Sequence, residues 1–363
     1  MGLPYILHPN QWRQGVNPLK VTHESSMAEY DRLLKNPPSG PLVPIKTRKG
    51  IYDQEDASNA SMVHHEDRSQ GIRAAVKLLG GMKPLVDGVE GEILIKPNCN
   101  TDDPYPRDTH PNTIRTIAEL LIEAGHPAEK IVIGEISGRY RGLPTRHTIE
   151  NLGIKQVAED LGLQLSYFDE ESWVTVQPPE STAWPIGIKI PKRVYDAERI
   201  ILTPIVRSHS NAVFTVSMKL AVGMIDAVGR EWLHDGTDFM QKMVELNLAY
   251  TADLIIADAT RMYTGRGPTF TSIVEPGVIV AGGNRVSVDA ICVALMKMNW
   301  VARVSNTLVL KQEQLIIAKQ LGLGSSQASK MNLRSMNLTS DASYDDIFKA
   351  IYEELGGDIN RFT

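Results

Sequence analysis

Glu92-Ile93-Leu94-Ile95-Lys96-Pro97 is a short run of β-formers closed by a proline, and the residues after it decide the fold. Pro111 stands where a first helical turn begins, Ile114, Ile117, Leu120 and Leu121 recur at helical spacing, and Gly125 stops the helix. Ile131-Val132-Ile133 is then a second apolar run of strand length. Strands that are apolar throughout, alternating with helices, indicate a parallel sheet buried on both faces.

The rhythm continues in both directions. Upstream, Ile72, Val76, Leu78 and Leu79 lie on a helix that ends at Gly80-Gly81. Downstream, a helix over about 149–161 returns as the strand Leu163-Gln164-Leu165-Ser166-Tyr167. Arg199-Ile200-Ile201-Leu202, Leu254-Ile255-Ile256-Ala257 and Val278-Ile279-Val280-Ala281 read as strands, Phe239 to Leu248 and Val288 to Met298 as helices. The expected class is α/β, a mostly parallel sheet with helices on both faces, its core spanning residues 61–330. Helical patterning at about 306–322 and 344–355 makes 331–363 a C-terminal helical segment. Residues 1–60, with Asn36-Pro37-Pro38-Ser39-Gly40-Pro41 and no sustained period, cannot form a core alone and read as an irregular extended arm. Such an arm either lies over the main domain or reaches a second copy in a homo-oligomer.

The two halves echo each other. After Ile131-Val132-Ile133-Gly134 come Glu135, Ser137, Tyr140 and Gly142; after Leu254-Ile255-Ile256-Ala257 come Asp258, Thr260, Tyr263 and Gly265, at identical offsets. Two related βαβ halves would bring both loops to the carboxyl ends of the strands, where open α/β folds place ligands.

Composition narrows the function. Of 363 residues, 42% are hydrophobic and 22% charged, as in ordinary globular proteins, and a net charge of -5 leaves no basic footprint for nucleic acid. Apolar runs fall short of the roughly 18–20 residues of a membrane span. The opening Met1-Gly2-Leu3-Pro4-Tyr5 lacks the features of a secretory signal, so a cytoplasmic protein is expected. Cys99 and Cys292 are too few for a disulfide framework, a four-cysteine zinc site or an iron–sulfur cluster of the chain's own.

Chemistry concentrates after the strands. Lys96, Asn98, Cys99 and Asn100 follow one of them; the lysine offers a point charge for a carboxylate or phosphate, or a proton carrier if burial lowers its pKa. Arg207-Ser208-His209 follow another and lead to Lys219, a cation in an otherwise apolar run that needs a partner or a route to water. Asp258 precedes Gly265-Arg266-Gly267-Pro268, a loop that is either a surface turn or an anion cradle, but is neither a P-loop nor a dinucleotide fingerprint. Asp289 opens an apolar helix, as a capping carboxylate or a metal ligand. Cys99 reads as a semi-buried thiol, His64-His65-Glu66-Asp67 as a polar helix entry, and Trp232 and His234 as a loop between helices.

These strings, Leu94-Ile95-Lys96-Pro97-Asn98, His110-Pro111, Ser208-His209 with Lys219 and then His234, Asp258, Gly265-Arg266-Gly267-Pro268 and Val288-Asp289-Ala290, occur in an order that resembles the family catalogued as domain of unknown function 362. The resemblance runs from about residue 67 to 325 and implies fold and site positions more than an activity. Many of its members carry ferredoxin-like cysteine motifs, which this chain lacks, and Arg207 and Leu220 stand where lysine and asparagine are usual.

The function expected is an enzyme of lyase or isomerase type acting on a small anionic, carboxylate-bearing substrate. Lys96, Arg207 and Lys219 hold the anion, His209 serves as acid and base, and Asn98, Ser208, Gly265, Gly267 and His234 surround the substrate. Asp258 or Asp289 orients the histidine or binds a divalent metal. The alternatives are a redox protein served by an iron–sulfur or flavin partner, and a ligand-binding or assembly protein without turnover.

Overall fold

A computed structural model describes residues 21–46, 48–53, 57–265 and 272–362. In chain order its first elements are α1 (His23–Lys35), β1 (Ser58–His64), α2 (Arg68–Leu78), α3 (Lys83–Val86), β2 (Ile93–Pro97), α4 (Pro111–Glu123) and β3 (Ile131–Glu135). Then come α5 (Thr145–Asn151), α6 (Ile154–Leu161), β4 (Gln164–Tyr167), β5 (Trp173–Val176), β6 (Ile188–Pro191), α7 (Lys192–Asp196) and β7 (Arg199–Thr203). The second half holds β8 (Arg207–His209), β9 (Val213–Thr215), α8 (Ala227–Leu233), α9 (Phe239–Glu245), β10 (Leu254–Ala259), β11 (Met262–Tyr263), β12 (Ile273–Val274) and β13 (Val278–Gly282). It closes with α10 (Arg285–Met298), α11 (Glu313–Gln320), β14 (Met331–Asn337) and α12 (Ser343–Glu354).

Eight strands form the main sheet in the order β14-β1-β13-β10-β7-β2-β3-β4. β13 runs antiparallel to both neighbours, β10 and β1, and every other pairing is parallel. Alternate residues of each strand face opposite layers. Ile93 and Ile95 of β2 pack with Ile131 and Ile133 beneath α2, α4 and α6, which contribute Ile72, Ile117 and Val157. Leu94 faces the other layer with Val132, Leu202 and Val280, under α8, α9 and α10. The expected mostly parallel sheet with helices on both faces is therefore the observed one. No described helix is long and apolar enough to cross a membrane.

The close packing makes a prediction at Gly134. A Cβ there would lie 2.6 Å from the Phe168 ring and 2.9 Å from Leu94 Cδ1, so Gly134→Ala should lower stability by about 1–3 kcal/mol, read as a shift in urea midpoint at constant m.

Several boundaries differ from the sequence reading. The arm is not wholly irregular: Thr22 caps α1 in a reciprocal box with Ser25, and Tyr30 and Leu33 are buried. The Tyr30 hydroxyl lies 3.1 Å from Ala227 O and 2.9 Å from Glu231 Oε1, so α1 rests on the chain's own α8. The limit at residue 60 cuts β1, whose Ser58-Asn59-Ala60-Ser61 half lacks strand-forming residues. The C-terminal segment is not all helix, because β14 adds an edge strand to β1; its polar Asn332, Arg334 and Asn337 suit a strand only partly covered. The helix over 149–161 is two helices broken at Gly153, whose φ is 75°. The helix from Phe239 ends at Glu245 and tightens into a 3-10 turn over Leu246–Leu248. Trp232 belongs to α8, and His234 is its C-cap.

Candidate functional site

β2 and β7 lie side by side at the middle of the sheet, with Pro97 opposite Thr203. From β2 the chain crosses through α4 to β3 on one side; from β7 it proceeds to β10 on the other. This is a topological switch point, and a crevice opens beyond the carboxyl ends of such a strand pair. A cavity of about 470 Å³ is there, lined by Lys96, Asn98, Arg207, His209, Lys219 and His234, all of them sequence candidates.

The floor is an ion pair. Period-two alternation puts Lys96 on the same face as Leu94, and its Nζ lies 2.6 Å from Glu135 Oε2 and donates to Pro97 O at 2.7 Å. Both side chains are buried; burial pushes the lysine pKa down and the carboxyl pKa up, each against the pull of the other. Cys99 N and Ile136 N also donate to Glu135. Gly223 passes directly over the pair: a Cβ there would sit 2.4 Å from Glu135 Oε1 and 2.7 Å from Lys96 Nζ. Its φ of -81° is open to any residue, so close approach is what requires glycine at this position.

The wall is the β8–β9 hairpin followed by the 3-10 segment Met218–Met224. His209 Nδ1 accepts from Asn211 N at 3.2 Å and Ala212 N at 3.1 Å, which leaves the ring proton on Nε2 in the neutral form. Burial, then Lys219, Arg207 and His234, hold this imidazole far below the usual histidine pKa. His234 has the opposite tautomer: its Nδ1–H donates to Arg230 O at 2.8 Å, leaving Nε2 with an open lone pair. Burial also holds His234 low, ahead of the opposing effect of that hydrogen bond. The cavity thus contains one neutral imidazole that donates and one that accepts.

Lys219 makes no hydrogen bond or ion pair among the described residues. Burial, reinforced by Arg207 and Arg230, brings its ammonium down to about 7. Arg230 is itself fixed, its two terminal nitrogens donating to Ser137 O at 2.5 Å and Ile136 O at 2.7 Å. Thr215, 3% exposed, lines the cavity with its hydroxyl unpartnered among the described residues. A buried polar atom of this kind marks a place for a ligand oxygen or water.

The remaining sequence candidates lie elsewhere. Asp258 does not face the cavity: its oxygens accept from Arg68 Nε at 2.6 Å, Tyr105 Oη at 2.8 Å, Thr113 Oγ1 at 2.9 Å and the Thr260 amide at 3.0 Å. That saturated carboxylate ties β10 to α2 and α4, beside a second cavity of about 730 Å³ lined by Arg68, Tyr105 and His110. Asp289 is also sealed, accepting from Ser217 N at 2.9 Å and Oγ at 2.5 Å and from Met218 N at 3.1 Å. It caps the segment that carries Lys219 and so positions that lysine. Ser208 Oγ donates to Gly265 O at 2.7 Å, so this serine and this glycine hold the hairpin to the loop after β11 and do not line the cavity. Gly267 lies outside the described residues. No cluster of three or more His, Cys, Asp or Glu side chains suited to a metal occurs among the described residues. Cys99 is fully buried, with burial driving its thiol pKa well up, which is an inert environment.

Glu135, Thr215, Gly223 and Arg230 are among the cavity residues missing from the sequence candidates. Glu135 was visible as the strand-end acid of the repeated pattern. Gly223 and Arg230 carry no local motif, although a lone arginine after Ala227-Val228-Gly229 is a weak signal of burial.

An open, doubly wound α/β sheet with a cation-lined cavity at its switch point defines the class of protein. The chain belongs to the family described as Domain of unknown function (DUF362), whose profile matches residues 93–294, the span that supplies every lining residue of this cavity but Tyr30. It is similar to the Thylakoid-associated protein sll1697 of Synechocystis sp., at 25% identity over 237 residues, 63% of this chain and 70% of that one. Among solved structures it is loosely similar to the lactate racemase apoprotein from Thermoanaerobacterium thermosaccharolyticum, with a TM-score of 0.39 and 13% identity. That match covers 64% of this chain, which spans about half of the other protein, 55% of its length.

Proposed function

We propose that the cavity binds a small carboxylate-bearing anion and moves a proton at the carbon next to the carboxylate, in a reaction of lyase or isomerase type. The observation that carries this reading is Lys219: an amine near neutrality, without a partner among the described residues, in a cavity whose carboxylate, Glu135, is already paired with Lys96. Arg207 and the field of the fixed Arg230 favour the substrate carboxylate. His209 donates from Nε2 to the oxygen on which negative charge develops, the part of an oxyanion-hole donor rather than the acid–base part expected from sequence. His234 Nε2 and Lys219 are the two proton acceptors, because both carry an open lone pair at neutral pH.

The test is hydrogen–deuterium exchange at the α and β carbons of a panel of small hydroxy and oxo acids in D2O, followed by NMR. Enzyme-dependent exchange in at least one acid is the expected result. A panel that stays protonated while isothermal titration detects binding would overturn the reading in favour of a ligand-binding protein.

A further inference from the structure

We infer that Lys219 is a covalent residue: its amine condenses with the carbonyl of a 2-oxo acid whose carboxylate is held beside Arg207. This rests on the reading above and narrows its substrate class. A lysine performs such chemistry when it is unprotonated and unshielded, and neighbouring cations with burial are the means of keeping it so. Lys219 meets those conditions by position. Arg207 and His209 face it from the hairpin, Arg230 and His234 from α8 and its C-cap, and Lys96 is neutralised by Glu135 at the floor. Asp289 fixes the backbone just before it through Ser217 and Met218. A residue serving only as an anion-binding point charge would be placed where its charge is retained; this one lines the cavity without a partner among the described residues and is surrounded by groups that disfavour its charge.

The step balances without a redox partner. The Nζ lone pair adds to the carbonyl carbon and the carbonyl π electrons move to oxygen. The nitrogen then gives up both of its hydrogens, which depart with that oxygen as water, leaving a C=N bond to Lys219. His209 Nε2–H can hydrogen-bond the departing oxygen, and the unpartnered Thr215 hydroxyl can receive the released water. Once the imine forms, His234 Nε2 is the base for the neighbouring C–H.

Pyruvate with sodium cyanoborohydride tests this, since hydride reduction makes an imine permanent. The expected result is one reduced adduct per folded chain, mapped to Lys219 by peptide mass spectrometry, with a labelling rate that rises with pH through about 7 as the free amine grows. Lys219→Arg should abolish that adduct while retaining the wild-type circular dichroism. Labelling spread over surface lysines, or equal labelling of urea-unfolded chain, would overturn the inference. Deuterium exchange without a Lys219 adduct would sink the covalent step and leave the proton-transfer reading standing. A Lys219 adduct with no exchange would do the reverse.

Discussion

A His234→Asn variant should exchange substrate protons about 10²–10⁴ times more slowly than the wild type, the range a positioned general base contributes. Asparagine keeps an N–H that can reach Arg230 O but has no basic nitrogen where Nε2 stood. Its loss is therefore chemical and should appear in kcat, with KM little changed. His209→Asn removes the Nε2–H donor instead, and a lost oxyanion donor costs about 10²–10³. The pH profiles separate the two roles. Burial holds His234 below the usual histidine value, so its acid limb lies below that of an ordinary histidine. Lys219 titrates near 7, so a catalytic free amine makes the wild-type rate fall as pH drops through 7. That limb should persist in the residual activity of His234→Asn and vanish in Lys219→Arg. If His234→Asn retained wild-type exchange across this range, the base would have to be sought elsewhere in the cavity.

The sheet was legible in the sequence where strands are buried on both faces, because Ile93-Leu94-Ile95 and Leu254-Ile255-Ile256 are apolar at every position. β1 and β14 escaped because both mix small and polar residues with apolar ones and resemble coil. The site was legible to the extent that chemistry follows strand ends: Lys96, Asn98, Arg207, His209 and Lys219 all reach one cavity. Asp258 was misread because a strand-end carboxylate looks the same in sequence whether it is open or saturated. Its state depends on Arg68 and Tyr105, more than 150 residues away in the chain. The imidazole roles were equally hidden, since Asn211, Ala212 and the Arg230 carbonyl choose the tautomers.

Lys96 and Glu135 offer the sharpest separation of stability from function. Lys96→Met leaves a buried carboxylate without its cation, and Glu135→Leu leaves a buried ammonium with only Pro97 O among the described residues. Breaking a buried pair from one side costs about 3–5 kcal/mol, because the surviving charge can neither pair nor reach bulk water. Replacing both partners with apolar groups of similar volume removes the two desolvation costs together with the attraction, and is often neutral or stabilising. The Lys96→Met/Glu135→Leu double variant should therefore unfold in urea well above the midpoint that the two single losses added together would give, a large coupling energy in a double-mutant cycle, its remaining deficit set by the Cys99 and Ile136 amides that lose their acceptor. Function should not return with stability. Two of the three ammonium hydrogens are used by Glu135 and Pro97, and the absent side chain at Gly223 lets the backbone pass directly over the pair at the floor of the cavity. The double variant should then exchange with a reduced kcat/KM, because an apolar floor no longer orients an anion beside Arg207. Wild-type kcat/KM in that variant would make the pair a structural plug and move anion binding wholly to Arg207 and Lys219.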